Sequence, residues 1–227
     1  MKKLSYILFL MICVSLSAQT NSPFQTKLTG EAFVEYRGFR GEQYYNTEWA
    51  ESDILLATGE IIQGEKLKYN GMFDELVWLN TTIPGLFKLD RPFIKEFWLK
   101  TTVANLIHFK RINVNDSTIR HSDIYAEVAI EGKVSLYIQR KISVTDVLAI
   151  PRDGKLYPLK FIGPTPVYYV KLPDHSYVAM NRISRSLFLK IFPEQKKQLN
   201  RLIRENHIDL RNEKGLNEII VLLNTEI

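Results

Sequence analysis

Two alternating apolar runs on either side of a short glycine turn constrain the fold of this chain more than any other feature. Apolar side chains occupy every second position over residues 124–130 and again over residues 134–142, where Arg140 is the one interruption. A period of two places these side chains on one face of a strand. Residues 131–133, Glu-Gly-Lys, join the runs. The segment therefore predicts an antiparallel β-hairpin with one buried face.

Further strand-like runs recur along most of the chain. Thr58-Gly59-Glu60, Asn70-Gly71 and Pro173-Asp174 are turn signals, and both residues of Asn70-Gly71 tolerate positive φ. The remaining predicted strands cover residues 33–36, 54–57, 61–69, 75–79, 97–99, 105–111, 167–172 and 176–180. Many short strands joined by hairpin turns predict a mainly antiparallel β body over residues 30–183, arranged as a sandwich, a roll or a partial barrel.

The apolar period changes to that of a helix after residue 183. Ser184 can cap a first short helix, which Pro193 ends, and Pro193 also suits the first turn of a second helix. Asn206-His207 is a helix stop in which Asn favours a left-handed cap, and Asn212 starts a third helix. The predicted fold class is α+β, mainly β, with two or three C-terminal helices over residues 184–224.

Residues 1–18 have the layout of a secretory signal peptide. Lys2 and Lys3 precede an apolar core over residues 4–16, and Ser17-Ala18 supplies small residues for cleavage. This core is too short for a transmembrane helix, and no later stretch is long and apolar enough for one. The one cysteine, Cys13, follows Ile12, which disfavours a lipoprotein signal. We therefore expect residues 19–227 to be a single exported domain that folds without disulfides.

Charge is unevenly distributed along the chain. Residues 19–131 hold 12 basic and 16 acidic side chains, whereas residues 132–190 hold 10 basic and 3 acidic ones. An exported protein rarely meets nucleic acid, so a basic face would contact another envelope protein or an anionic or apolar envelope ligand. The alternative is that these cations are spread over a solvated surface.

Three segments carry a resemblance to a protein family. They are GEIIQGEKLKYNGMFDELVWL in the first half, EGKVSLYIQRKI in the middle and FPEQKKQLNRLIRENHIDLRNEKGLNEII at the end. With the SAQ cleavage context, they resemble a family of exported envelope proteins of Bacteroidetes-type bacteria, over nearly the whole mature chain. The resemblance implies a periplasmic or outer-membrane-associated location. It implies no activity, so it assigns no catalytic, cofactor-binding or metal-binding residue.

Asp74-Glu75 is the first candidate for chemistry, since a carboxylate pair can serve acid–base catalysis. Neighbouring residues in a strand point to opposite faces, so the two carboxylates would not share a site unless the turn twists them together. A glycosidase pair would also need a cleft between its carboxylates. We therefore predict that Asp74 finishes the turn and Glu75 opens the next strand.

The histidines do not show the spacing of a metal site. His121 and Asp123 form an H-x-D trio that could offer two ligands, but further ligands such as His108 or Asp116 would have to come near. His175 is expected at a hairpin tip and His207 at a helix end. Motifs for nucleophilic catalysis and Gly-rich phosphate loops are absent from the sequence. No cofactor is therefore expected.

Aromatic residues suggest two contact surfaces. The tract EYRGFRGEQYYN, residues 35–46, combines tyrosines and arginines as binding loops do, although a loop folded over a sheet edge would look the same. Tyr168, Tyr169 and Tyr177 could form the floor of a sugar- or lipid-binding surface. Tyrosine is also an ordinary residue of β-sheets.

Two functional hypotheses remain. The first is a non-catalytic envelope protein that acts as an assembly subunit or binding module, including a carrier in which the helices cover an apolar cavity without filling it. The second is a secreted hydrolase that uses carboxylates, with or without a metal. It requires candidates among Asp74, Glu75, His108, His121 or Asp123 to converge in one cleft. We favour the first hypothesis.

Overall fold

The computed structural model describes residues 27–36, 39–101, 105–114, 123–152 and 155–226. Its described strands are β1 (Gly30–Ala32), β2 (Ala50–Leu56), β3 (Ile61–Asn70), β4 (Glu75–Asn80), β5 (Gly85–Leu89), β6 (Ile94–Lys100), β7 (Leu106–Asn113), β8 (Asp123–Ile130), β9 (Ser135–Gln139), β10 (Ile142–Arg152), β11 (Lys155–Pro164), β12 (Val167–Lys171) and β13 (Tyr177–Met180). A 3₁₀ turn spans Arg91–Phe93. Its described α-helices are α1 (Arg185–Ile191), α2 (Lys196–Glu205) and α3 (Glu213–Glu226).

Eleven of these strands form one open sheet in the order β1-β5-β4-β3-β2-β6-β7-β8-β9-β12-β13. Every pairing between them is antiparallel. β10 and β11 form a separate two-stranded hairpin. The predicted fold class, a mainly antiparallel sheet followed by C-terminal helices, is confirmed.

The N-terminal half of the sheet is strongly curved. Two strands, β2 and β6, separate β3 from β7. In a flat sheet this spacing would be about 14 Å, yet the ring centroids of Tyr69 on β3 and Phe109 on β7 are 4.9 Å apart. Their shared face holds a core in which Leu67, Phe97 and Leu99 are fully buried. Each such side chain contributes about 1.5–3 kcal/mol of burial free energy.

The C-terminal half of the sheet packs against the three helices. Leu136 on β9 and Val170 on β12 lie in one buried cluster with Phe188 of α1, Leu199 of α2 and Leu216 of α3. The apolar stripes predicted for the helices are therefore core-facing stripes. No helix in the described part of the chain is long and apolar enough to cross a membrane.

Several local predictions are confirmed. The β8–β9 hairpin forms as expected, and Gly59 takes a φ of 90° in the turn between β2 and β3. Ser184 caps α1 through its side-chain oxygen, and the side chain of Asn212 accepts a hydrogen bond from Gly215 at the start of α3. The signal peptide predicted at residues 1–18 lies outside the described residues. The single-domain boundaries stay a prediction.

Other local predictions are wrong in the strands. Residues 33–36 form no strand. The first described strand is shorter and earlier, and it ends at Ala32. The apolar run over residues 134–142 is not one strand, since Ile142 opens β10 in the second sheet. The turn after β3 is a four-residue loop in which Asp74 takes the positive φ, while the Asn70 side chain accepts hydrogen bonds from the Met72 and Phe73 amides.

Two helix boundaries also differ from the prediction. Pro193 ends the first helix but does not enter the next, because α2 begins three residues later at Lys196. After α2 the left-handed residue is His207 rather than Asn206. The Ile208 amide donates to Ile203 O and the His207 amide to Arg204 O, which is the Schellman pattern.

Candidate functional site

The last strand in the described sheet, β13, is held in place by a tight hairpin. Asp174 accepts hydrogen bonds from the Ser176 amide (2.9 Å) and the Ser176 hydroxyl (2.6 Å), and His175 takes a left-handed φ of 67° at the tip. The Leu172 amide then donates to Ser176 O at 2.9 Å. This bond fixes which residues of β13 face its neighbour, because hydrogen-bonded pairs alternate along an antiparallel ladder.

The alternation turns two residues of β13 away from the sheet. Starting from the bonded pair Leu172 and Ser176, the bonded residues of β13 are Val178 and Met180. The N–H and C=O groups of Tyr177 and Ala179 therefore point outward. Neither residue makes a backbone hydrogen bond outside the strand ladder to any other residue that the structure describes. β13 thus presents an open edge of two donors and two acceptors.

Helix α1 lies beside this edge. Its cap, Ser184, directly follows the predicted β body and accepts a hydrogen bond from the Leu187 amide. Phe188 and Leu189 enter the core, so α1 is packed against the sheet through one face. Leu187, Lys190 and Ile191 of α1 lie beside β13 instead.

A groove of about 630 Å³ runs between the edge strand and α1. Its lining consists of residues 178–182 on one side and Leu187, Lys190 and Ile191 on the other. We call this the edge groove. Its floor is mostly apolar, since Met180 is buried in the helical core and Leu187 and Ile191 pack against that core.

Two cations lie in the edge groove. Arg182 follows β13 and Lys190 is in the last turn of α1, and both are exposed. Neither forms an ion pair with any described residue. Lys190 also faces the negative end of the α1 dipole, a favourable position for a cation. The groove therefore combines open backbone groups, an apolar floor and two unneutralised positive charges.

An apolar pocket of about 430 Å³ adjoins the groove. Ile191 lines both. The buried side chains of Val134, Phe192 and Leu223 contribute to its walls, and Pro173 of the β12–β13 turn borders it. We call this the apolar pocket. It lies at the end of α1, beside the core that the helices share with the sheet.

Asp74 finishes its turn, and Glu75 opens β4, as predicted. The Asp74 carboxylate accepts hydrogen bonds from the Tyr69 hydroxyl (2.7 Å), the Arg91 guanidinium (2.6 Å) and the Tyr125 amide (3.3 Å). Burial raises the pKa of the Asp74 carboxyl, and Arg91 and Tyr69 act in the opposite direction. The residue closes the curved sheet between the β3–β4 turn and β8.

Part of the carboxylate cluster required for a hydrolase does converge. Asp74, Glu75 and Asp123 line one cleft of about 470 Å³. Each of them has a cationic partner, because Asp74 pairs with Arg91, Glu75 with Lys88 at 3.5 Å and Asp123 with Arg111 at 3.6 Å. The ion pairs leave none of the three as an isolated carboxylate in the cleft.

His108 lies on the opposite face of the sheet from this cleft. Its neighbour Phe109 packs on Tyr69 inside the curved sheet, so His108 points outward. There its Nε2 is 2.8 Å from a carboxylate oxygen of Glu96, and its ring stacks on Trp98 with centroids 4.7 Å apart. His108 therefore does not join Asp74, Glu75 and Asp123.

The other predicted metal ligands do not gather in the described part of the chain. Asp116 and His121 lie outside the described residues. His175 is at the β12–β13 hairpin tip and His207 follows α2, the two positions predicted for them, and both are exposed. The described residues hold no group of three or more His, Cys, Asp or Glu side chains that could bind a metal.

The aromatic candidates are mainly structural. In the tract 35–46, the Tyr45 amide donates to Tyr69 O and the Gly71 amide donates to Gln43 O, so this part of the tract folds over the end of β3. Tyr168 and Tyr169 are buried on opposite faces of β12 and cannot share one floor. Tyr177 remains partly exposed, with its ring 6.0 Å from that of Tyr137.

The edge groove was not found from the sequence. The Pro173-Asp174 turn predicts the hairpin, but it does not show that β13 pairs on one side only. Comparison with protein-family models, with curated proteins and with solved structures finds no match for the chain. The resemblance to an envelope family therefore stays a prediction, and the candidate site depends on geometry alone.

Proposed function

We propose that the protein is a non-catalytic binding module of the cell envelope, which takes up an extended segment of another protein as an added strand at β13. The single observation that supports this function most is the set of outward N–H and C=O groups of Tyr177 and Ala179 beside an apolar groove. Strand addition supplies affinity through main-chain hydrogen bonds and specificity through pockets for alternate side chains.

The expected interaction is modest from the backbone alone. Each main-chain hydrogen bond contributes about 0.5–1.5 kcal/mol net, because it replaces a bond to water. Burial of side chains against Met180, Leu187 and Ile191 would add an apolar contribution of about 25 cal/mol per Å². Main-chain hydrogen bonds and apolar burial together would give a contact of moderate affinity. Such a contact depends on which side chains the partner segment carries.

The envelope location in this proposal comes from the sequence. Residues 1–18 have the signal-peptide layout, and the family resemblance implies a periplasmic or outer-membrane-associated site. In that location the basic residues of segment 132–190, which we call the middle block, would meet other envelope proteins rather than nucleic acid. Arg182 and Lys190 of the edge groove belong to this block.

A hydrolase remains the second candidate, on one observation. Asp74, Glu75 and Asp123 line the same cleft. Against it, Arg91, Lys88 and Arg111 neutralise these carboxylates, and the Asp74 side chain holds the sheet together. If this cleft were an active site, Asp123→Asn would abolish an activity without changing what binds at β13.

Proline substitution at the edge strand tests the proposed function. Ala179→Pro removes an outward N–H that takes no part in the β12–β13 ladder, and proline is tolerated on edge strands. Ala32→Pro is a matched control at the opposite edge, because the Phe33 amide donates to Leu86 O and the Ala32 amide therefore faces outward too.

The three proteins would be tagged and recovered from cross-linked envelopes, and their bound proteins quantified by mass spectrometry. We expect one partner at stoichiometric level with the wild type and with Ala32→Pro, and its loss with Ala179→Pro. Equal recovery of the partner with all three proteins would show that β13 is not the binding edge. Recovery of lipid without protein would favour the carrier instead.

A further inference from the structure

We infer that the strand added to β13 runs antiparallel to it and carries an acidic residue facing Arg182 and Lys190, followed by a large apolar residue that enters the apolar pocket. This inference rests on the proposed function, since it specifies which segment strand addition would select. It is carried by the direction of β13, by the two cations that line the groove and by the apolar pocket beside the β12–β13 turn.

The direction follows from the sheet. All pairings in the eleven-stranded sheet are antiparallel. β13 runs from Tyr177 to Met180 and leads towards Arg182. An antiparallel neighbour therefore passes Arg182 first and reaches the β12–β13 turn last. That turn contributes Leu172 and Pro173 to the apolar pocket.

Charge complementarity sets the first residue type. Arg182 and Lys190 are exposed, and the ion pairs of the described residues include neither of them. A carboxylate placed between them over an apolar floor would be partly shielded from water, where such pairs are stronger than on an open surface. Arginine also offers a carboxylate two parallel hydrogen bonds.

The apolar pocket sets the second residue type. Its volume of about 430 Å³ falls within the range of about 300–1,000 Å³ that ligand pockets occupy. Buried side chains of Phe192 and Leu223 line it, so an aromatic or long aliphatic side chain would find apolar contacts there. Ile191 lines both the pocket and the groove, so the two sites lie next to each other.

The spacing of the two residues is constrained by the face on which they lie. Met180 packs into the same core as α1, so the groove is on the Met180 face of the sheet. Residues of an added strand that share this face recur at every second position. The acidic residue and the apolar residue therefore lie at positions whose numbers differ by an even number, such as i and i+4.

A second copy of this chain is the alternative occupant that the test must separate. In antiparallel pairing of two β13 strands, Arg182 of each copy would lie near the β12–β13 turn of the other. Self-association of the free protein through β13 would show that a second copy occupies this edge and would overturn the inference.

Synthetic peptides test the inference. The probe is a fluorescein-labelled peptide of Thr and Ser residues in which one Glu precedes one Phe by about four positions. Two control peptides carry Lys in place of Glu, or Phe before Glu. Binding would be followed by fluorescence anisotropy with the full chain, at low and high salt. Sedimentation of the free protein would report self-association.

Protein variants separate the two contacts. Arg182→Glu combined with Lys190→Glu should weaken binding of the Glu–Phe peptide by about tenfold or more and restore binding of the Lys–Phe peptide. Glu194→Trp narrows the apolar pocket from an exposed position, with Glu194→Ala as its matched control. Of the two substitutions at Glu194, Glu194→Trp should lower the affinity for the Phe-containing peptides and Glu194→Ala should leave it unchanged.

The outcomes distinguish this inference from the proposed function. If Ala179→Pro abolishes binding but the charge reversal and Glu194→Trp do not, strand addition stands and the selected chemistry is wrong. If the peptide with reversed order binds equally well, the antiparallel direction is wrong. Absence of binding of the Glu–Phe peptide at about 1 mM would overturn the inference. The proposed function would still be tested separately, by whether Ala179→Pro loses the partner that the wild type recovers.

Discussion

The guanidinium of Arg140 donates two hydrogen bonds to the carboxylate of Glu213, at 2.8 and 3.0 Å, and thereby joins the end of β9 to the start of α3. The same guanidinium donates to Glu127 on β8 at 2.6 Å. Burial lowers the pKa of Arg140, but the bonds to Glu127 and Glu213 outweigh it and raise the pKa above its ordinary value. Arg140 therefore links the sheet to α3, which shares a buried core with α1, the helix that lines the edge groove.

Arg140→Met is expected to lower the free energy of unfolding by about 3 kcal/mol, because it leaves two carboxylates close together without their cation. Urea denaturation followed by circular dichroism measures this change. Arg211→Met is the control, since Arg211 pairs with Asp209 on the surface and its loss should leave the midpoint nearly unchanged. A similar small change for both variants would contradict the role given to Arg140.

Gly71→Ala is expected to destabilise the protein by about 2 kcal/mol, although Gly71 has no positive φ. A Cβ at this position would collide with the carbonyl oxygen of Arg140, which is backbone and cannot move aside easily. At Gly59 the φ is 90° but the space is open, so Gly59→Ala should cost about 1 kcal/mol. Thermal unfolding would rank the two, and a larger loss at Gly59 would contradict the contact.

Asn80 should be required for the turn between β4 and β5. Its buried side-chain oxygen accepts hydrogen bonds from the Thr82 and Ile83 amides at 2.8 and 3.0 Å. Asn80→Ala would leave both donors without this partner and should cost about 1–3 kcal/mol in urea denaturation. Asn80→Asp retains an acceptor oxygen and should recover most of the loss. Equal destabilisation by both would exclude the hydrogen bonds as the cause.

Buried tyrosines predict a loss of stability at alkaline pH. Burial raises the pKa of Tyr69 and of Tyr125 above the ordinary value of 10.0. The stability that these neutral hydroxyls contribute is fully present below pH 10.0, the unfolded value, and is lost as the pH rises through the folded pKa. Spectrophotometric titration of tyrosinate should therefore show a late step that coincides with unfolding. Titration of every tyrosine near 10.0 in the folded protein would contradict this environment.

Much of the fold could be predicted because its signals are local. Alternation over residues 124–130 reflects side chains that point to opposite faces of β8, and the helical stripes reflect core contacts of α1, α2 and α3. The errors arise where a distant contact decides the backbone. The loop after Asn70 is shaped by the half-buried Asp74 carboxylate, which accepts a hydrogen bond from the Tyr125 amide. Because Tyr125 is distant in the sequence, the pattern of residues around Asn70 could not predict this contact.

The candidate site could be predicted only in part. Sequence patterns place the β12–β13 hairpin and α1, and they show that the middle block is basic. They do not reveal which strand is last in the sheet, since this depends on the pairing of all the others. The proposed hydrolase residues show the same limit, because three of them meet in one cleft while His108 faces the other side.

Residue-resolved amide exchange tests the central claim, the addition of a strand at β13, most directly. In the free protein we expect the outward amides of Tyr177 and Ala179 to exchange fast and those of Val178 and Met180 slowly. With the envelope partner, or with the Glu–Phe peptide, the amides of Tyr177 and Ala179 should become protected by new hydrogen bonds. If both amides still exchange fast in the complex, the partner does not extend the sheet at β13, and the account is wrong.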